Sequence, residues 1–206
     1  MSDLPGIRCV LTCTWLWAIL AGAGAFAGDI TRCDLLAANP PDPDRVAPGV
    51  ERHDVDVPAA IAACEQAVQD DPANVRVRYQ LARVLSYAGQ HERALAEMRR
   101  SADLGYRQAQ FLYGLSIMNA RPGAPADLCL AEHYWRLSAR AGRDAAAANY
   151  AIQRLRGTFD DCGSVAAREE IIGWLQEMAA QAPPATPGYY QRLLAAELAY
   201  RMETQP

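Results

Sequence analysis

Arginine and tyrosine side chains recur along residues 76–87 at a spacing that places them on one face of a helix. Arg76, Tyr79, Arg83 and Tyr87 follow the pattern i, i+3, i+7, i+11, which forms one stripe of an α-helix. Both residue types are enriched at binding hot spots, and arginine pairs well with carboxylates. The stripe therefore indicates a surface for a carboxylate terminus or an acidic peptide. The alternatives are an ordinary solvated face, or tyrosines packed on a neighbouring helix.

Residues with catalytic chemistry form no recognisable motif in this chain. The three histidines, His53, His91 and His133, lie in unrelated contexts. Ser164 follows a glycine, but no Gly-x-Ser-x-Gly elbow surrounds it. The chain has no lysine, which excludes a Schiff-base lysine and a P-loop lysine. We therefore expect a protein that is not an enzyme and that uses no cofactor and no metal ion.

The composition is that of a globular protein: 51% of the residues are hydrophobic and 21% are charged. The formal net charge is −4, which provides no general attraction to nucleic acid. We therefore expect no nucleic-acid partner.

Residues 1–27 have the pattern of an export signal. Arg8 precedes the uncharged, mostly apolar stretch 9–27, which ends in Ala25-Phe26-Ala27, the small-x-small pattern of a cleavage site. We expect cleavage after Ala27 and a periplasmic or secreted protein that does not bind a membrane. The alternative is that residues 9–27 stay as an anchor, because 19 uncharged residues can just span a bilayer.

Four cysteines follow that signal: Cys33, Cys64, Cys129 and Cys162. An even number of cysteines in an exported protein favours two disulfides, for which sequence alone allows three connectivities. There is no Cys-x-x-Cys motif, so the pattern favours neither thioredoxin-like chemistry nor a zinc site. We expect the cysteines to be structural.

The chain contains an internal repeat. Residues 94–115 and 131–152 align at a shift of 37, with seven of 22 positions identical. The identical pairs are Ala94/Ala131, Arg99/Arg136, Ser101/Ser138, Ala102/Ala139, Gly105/Gly142, Ala109/Ala146 and Tyr113/Tyr150. A period of this length predicts stacked helix hairpins. Gly89, Gly105, Gly142 and Gly157 stand where helices should end.

These residues resemble the Sel1-like repeat family of the tetratricopeptide superfamily. The resemblance lies in Ser101-Ala102-Asp103-Leu104-Gly105, in Ala109 to Gly114, and in the loop Ala120 to Asp127. Residues 74–103 are more similar to a plain tetratricopeptide repeat. The resemblance implies an all-α, right-handed solenoid of antiparallel helix hairpins over residues 57–157. It also implies that the first helix of each hairpin lines the concave face, where the Arg76–Tyr87 stripe would bind a partner.

The expected hairpins favour one disulfide connectivity. A helix over 127–141 followed by a returning helix over 143–156 brings Cys162 back to Cys129. The remaining pair, Cys33–Cys64, would join an irregular N-terminal segment (residues 28–56) to the first repeat helix. Residues 158–206 are expected to close the solenoid as a helical pair. In that pair, Ser164 would cap a helix that buries Ile171, Leu175 and Met178.

The function expected from these features is a non-catalytic, exported scaffold that binds a protein or peptide in the bacterial cell envelope. The alternative follows from the same resemblance, because some secreted, cysteine-containing Sel1-like proteins are associated with β-lactams or cell-wall fragments. The partner, the pathway and the oligomeric state stay open at this level.

Overall fold

Helix-capping residues divide the chain into short antiparallel helices. A computed structural model describes residues 29–181, 192–193 and 195–196. Within them, all regular secondary structure is helical, with no strand. The helices are α1 (Arg32–Ala37), a 3₁₀ turn (Arg52–Asp54), α2 (Val57–Asp70), α3 (Val75–Tyr87), α4 (His91–Asp103), α5 (Arg107–Met118), α6 (Leu128–Arg140), α7 (Asp144–Leu155) and α8 (Arg168–Gln181). The predicted export signal lies outside the described residues.

Polar side chains cap the helix starts, and glycines end several helices. Asp56, Asn74 and Asp127 each accept a hydrogen bond from the backbone N–H three residues later. Gly89 has φ 74°, and the N–H of Gln90 bonds the carbonyl of Leu85, as in a Schellman motif. The other three predicted glycine positions also have positive φ. The prediction that these glycines end helices is confirmed.

Each helix packs on the next one along the chain, from α1 to α8. The result is a helical repeat solenoid, as expected from the repeat. Its buried side chains form three successive clusters, around α1–α4, α3–α6 and α5–α8. The core is therefore distributed along the solenoid instead of lying at one centre.

The C-terminal part agrees with the prediction in its packing but not in its cap. Ile171, Leu175 and Met178 are buried as expected. The predicted cap was wrong, because α8 begins at Arg168 and Ser164 lies in the preceding irregular stretch. The second helix of the closing pair expected over residues 158–206 lies largely outside the described residues, although residues 192–193 and 195–196 are helical.

Both expected disulfides are present. Cys33 of α1 is bonded to Cys64 of α2. Cys129 of α6 is bonded to Cys162, in the segment that follows α7. The first bond holds the N-terminal segment against the repeats, and the second joins the last two hairpins.

Gly114 lets α5 approach α6 closely, and alanine there should destabilise the protein. A Cβ at Gly114 would lie 2.6 Å from Trp135 Cδ1 and 3.2 Å from the carbonyl oxygen of Ala131. Trp135 is fixed by its hydrogen bond to the carbonyl of Phe111. We expect Gly114→Ala to lower the free energy of unfolding by about 1–3 kcal/mol through overpacking, measured by urea denaturation.

Gly173→Ala is the matched control for that prediction. A Cβ at Gly173, within α8, would meet nothing within 4 Å. Alanine should therefore raise the free energy of unfolding by about 0.5–1 kcal/mol, because it reduces the backbone entropy lost on folding. Equal effects of the two substitutions would contradict the close packing of α5 on α6.

Candidate partner-binding face and cleft

The predicted stripe does lie on one face of α3, but the chain's own N-terminal segment covers part of that face. This segment, residues 29–54, is called the N-terminal strap. It contains α1 and the 3₁₀ turn, and it runs as irregular chain between them. Side chains of α3, α5 and α7 bind it through hydrogen bonds and ion pairs.

Arg76 is buried in an ion pair with the strap. Its Nε lies 2.8 Å from Asp34 Oδ1 and its Nη2 lies 3.1 Å from Oδ2, and both side chains are at most 1% exposed. Gln80 also donates to Asp34, as do the backbone and hydroxyl of Thr31. Burial raises the pKa of Asp34, but the hydrogen bonds from Arg76, Thr31 and Gln80 outweigh burial and hold it below its usual value.

Two tyrosine hydroxyls bind the middle of the strap. Asn39 donates to the Tyr79 hydroxyl, and the Tyr106 hydroxyl donates to Asp42 Oδ2 at 2.7 Å. The two rings pack together with centroids 5.5 Å apart. Burial raises the pKa of Asp42, and the hydrogen bond from Tyr106 offsets only part of that effect. The middle of the strap is thus held by hydrogen bonds with two tyrosines that pack on each other.

Arg83 holds the strap through its backbone. Its Nη1 donates to the carbonyls of Ala37 and Ala38 at 2.9 and 3.1 Å, at the C-terminal end of α1, where a cation is favourable. Its Nη2 donates to the carbonyl of Val50 at 2.6 Å, and its Nε donates to the Tyr87 hydroxyl at 2.8 Å. The Arg83 guanidinium is therefore largely occupied within the protein.

One arginine at the start of each of three alternate repeat helices, α3, α5 and α7, binds the strap. Arg76 stands in the first turn of α3, Arg107 begins α5 and Arg143 caps α7. Arg107 pairs with Asp44 at 2.6 and 2.7 Å. Arg143 donates to the carbonyl of Pro41 at 3.1 Å. The strap thus runs lengthwise along the starts of α3, α5 and α7.

A cleft of about 460 Å³ remains open beside the strap, between the second half of α3, the first half of α4 and the second half of α5. Three stripe residues, Tyr79, Arg83 and Tyr87, are among its lining residues, whereas Arg76 is not. The remaining lining residues are Asn39, Arg52, Ala82, Ser86, His91, Ala94, Leu95, Met98, Leu112, Leu115, Ser116, Arg121 and Pro122. Among these described lining residues, none is Asp or Glu.

Two cleft residues, Arg52 and Arg121, were missed by the sequence analysis. The Arg52 guanidinium lies 4.8 Å from the centre of the Tyr87 ring, and that of Arg83 lies 5.2 Å from the same centre. Arg52 and Arg121 are both exposed. Within the described part of the chain, neither forms an ion pair with a carboxylate. Neither lies on an α-helix, so no helical spacing marks them.

The arrangement differs from the predicted binding stripe because three of its four side chains already form hydrogen bonds with the strap. Tyr79 accepts from Asn39, and Arg83 donates to backbone carbonyls of the strap. The four side chains share a face, as the spacing predicts, but Arg76 contacts Asp34 where a partner was expected. The only hint in the sequence is the group of aspartates at positions 29, 34, 42 and 44 in a segment expected to be irregular. Of these, Asp34 contacts Arg76 and Asp44 contacts Arg107, whereas Asp42 accepts a hydrogen bond from the Tyr106 hydroxyl.

The family model of the tetratricopeptide repeat matches residues 56–111, which span α2, α3, α4 and the first part of α5. The chain therefore contains a tetratricopeptide-type repeat, a class of repeat that generally mediates protein–protein interaction and is typically a non-catalytic scaffold. No curated protein matches the chain. Within the described residues, no helix has the length and apolarity needed to cross a membrane.

Proposed function

We propose that this protein is a non-catalytic interaction module of the bacterial cell envelope, which binds a segment of a partner protein in the cleft beside the N-terminal strap. The observation that supports this most directly is the cleft itself. It is concave, it lies on the face of a tetratricopeptide-type repeat, and its lining combines apolar side chains with arginines and tyrosines. That combination is typical of protein-binding surfaces.

The location in the envelope rests on other observations. The apolar stretch 9–27 and its small-x-small end are typical of an export signal. The two disulfides fit an oxidising compartment such as the periplasm or the extracellular space. The Sel1-like branch of the repeat superfamily is part of the same proposal and is supported by the repeat at a shift of 37.

Filling the cleft should abolish partner binding without unfolding the protein. Ser86 is an exposed residue of α3 that lines the cleft, so Ser86→Trp adds bulk there without disturbing the core. We expect the tryptophan variant to lose at least about tenfold in affinity for the partner. The measurement is affinity capture from an envelope extract with the oxidised protein as bait, followed by titration of the purified partner.

Ser164→Trp is the matched control, because Ser164 is also exposed and does not line the cleft. It should capture the same partner as the unmodified protein. A partner held equally by both variants would place the binding surface elsewhere and refute the cleft. A screen of cell-wall fragments and β-lactams on the unmodified protein tests the alternative ligands, and binding of such a ligand without any protein partner would favour them.

A further inference from the structure

The arginines of the cleft that remain able to bind an anion lie outside the repeat helices. Arg52 belongs to the 3₁₀ turn of the strap, and Arg121 belongs to the loop between α5 and α6. Both are exposed and both line the cleft. Arg83, by contrast, already donates to three backbone carbonyls and to Tyr87. An incoming anion would therefore find its partners at Arg52 and Arg121.

The ring of Tyr87 holds Arg52 in place. A guanidinium at 4.8 Å from the ring centre is within the range of a cation–π contact. This contact leaves the N–H groups at the edge of the guanidinium able to donate to a carboxylate. The arginine side chain is thus partly ordered before a ligand arrives, which reduces the entropy lost on binding.

The apolar part of the cleft complements these charges. Leu95 and Met98 of α4 and Leu112 and Leu115 of α5 line it and are only half-buried. Half-buried apolar side chains in a concave site gain free energy when a ligand covers them. The ligand should therefore have apolar side chains beside its anionic groups.

The strap shows how this face of the solenoid binds a chain segment through side-chain carboxylates. It docks on the repeat helices through the side-chain carboxylates of Asp34, Asp42 and Asp44, which contact Arg76, Tyr106 and Arg107. The strap residue Asn39 also lines the cleft, so the cleft continues the surface that the strap occupies. A second extended segment can lie there alongside the strap.

We infer that the cleft takes an extended peptide segment of a partner protein in which Asp or Glu side chains alternate with apolar ones. The inference rests on the proposed function and names the chemistry of its ligand. Arg52 and Arg121 pair with the carboxylates of the segment, and Leu95, Met98, Leu112 and Leu115 contact its apolar side chains. The ligand groups are inferred to be side-chain carboxylates and not a C-terminal carboxylate, because the strap binds the same face through side-chain carboxylates.

An array of short peptides tests the inference with the oxidised protein. The acidic peptides are acetylated and amidated and are composed of Glu, Leu and Ala in all orders. Each has a matched peptide with Gln in place of Glu, made once amidated and once with a free carboxyl terminus. We expect retention of acidic members with apolar neighbours, and at least about tenfold weaker binding of their Gln counterparts. If no acidic member exceeds its Gln counterpart, the inference is overturned. It is also overturned if Gln peptides with a free carboxyl terminus bind better than amidated acidic ones.

Charge-neutralising variants locate the contacts. Arg52→Gln with Arg121→Gln should weaken binding of the best acidic peptide by about tenfold or more, and the remaining affinity should depend less on salt. Arg156→Gln removes an equally exposed arginine outside the cleft and should leave affinity unchanged. Equal binding by the double variant overturns the assignment of these arginines.

The two proposals fail in different ways. If Ser86→Trp abolishes capture of the natural partner but the double arginine variant captures it normally, the cleft is the binding site and only the acidic ligand is wrong. If neither variant affects capture, the cleft itself is wrong.

Discussion

Replacing Arg76 with methionine is expected to lower the free energy of unfolding by about 3–5 kcal/mol, because it leaves a buried carboxylate without its cation. Asp34 is fully buried, and Arg76 is its only ion-pair partner among the described residues. Methionine keeps much of the volume and the apolar stem of arginine. Urea denaturation at neutral pH measures the change.

The matched control is Arg99→Met. Arg99 pairs with Asp103 on an exposed surface of α4, where the two side chains are 64% and 48% exposed. Exposed pairs contribute about 0–1 kcal/mol, so the control should be nearly neutral. A double variant, Asp34→Ala with Arg76→Met, should recover part of the loss, since it removes the unpaired charge. If Arg76→Met behaved like the control, the buried ion pair would not anchor the strap.

The pH dependence of the Arg76 effect follows from the direction of the Asp34 pKa shift. The folded-state pKa lies below the unfolded value, so the ion pair stabilises the fold at pH values above the unfolded pKa of about 3.9. This stabilisation is lost as the pH falls through the folded pKa and Asp34 is protonated. The difference in stability between the unmodified protein and Arg76→Met should therefore shrink as the solution is acidified below about pH 4.

Removing the Cys33–Cys64 disulfide should reduce both stability and partner binding. The bond closes a loop with a sequence separation of 31, for which the chain-entropy estimate is about 3–4 kcal/mol. It also holds α1 of the strap against α2. Without it, the strap should dissociate more readily from α3, and Arg52 and Asn39 would leave the cleft lining. We expect Cys33→Ala with Cys64→Ala to lower the free energy of unfolding and to weaken partner binding under conditions where the variant stays folded.

The second disulfide provides the matched comparison. Cys129 and Cys162 close a loop of nearly the same length, with a separation of 33, but neither residue lies in the strap or lines the cleft. Cys129→Ala with Cys162→Ala should therefore lower stability by a similar amount and leave binding intact. Unfolding free energies and peptide affinities of the two double variants test this. Equal losses of affinity would show that the strap has no special part in binding.

The helices and the disulfides were predictable from the sequence because their causes are local or follow from the repeat. The start of α6 follows from the capping side chain of Asp127. The end of α3 follows from Gly89, which accepts the left-handed backbone conformation. The proximity of Cys129 and Cys162 follows from two helices of similar length running in opposite directions.

The position of the strap over the expected binding stripe could not be predicted in the same way. Arg76 and Asp34 are 42 residues apart, and the aspartate lies in a segment without periodic spacing. The spacing of the stripe establishes which face of α3 the side chains share, but it does not show what lies over that face. Arg52 and Arg121 were missed for a related reason, because only the folded chain brings their irregular segments to the same cleft.

The lengthwise course of the strap has a consequence for how the solenoid opens. In a solenoid held together only by neighbouring repeats, each repeat can unfold with little effect on distant ones. Here Arg143 at the start of α7 binds Pro41 across 102 residues of chain, and α3 and α5 bind the same segment. Because α3, α5 and the start of α7 all contact the same strap, detaching the strap from one of these helices weakens its contacts with the other two. Amide hydrogen exchange from α3 to α7 should consequently report one cooperative opening instead of a gradient from one end.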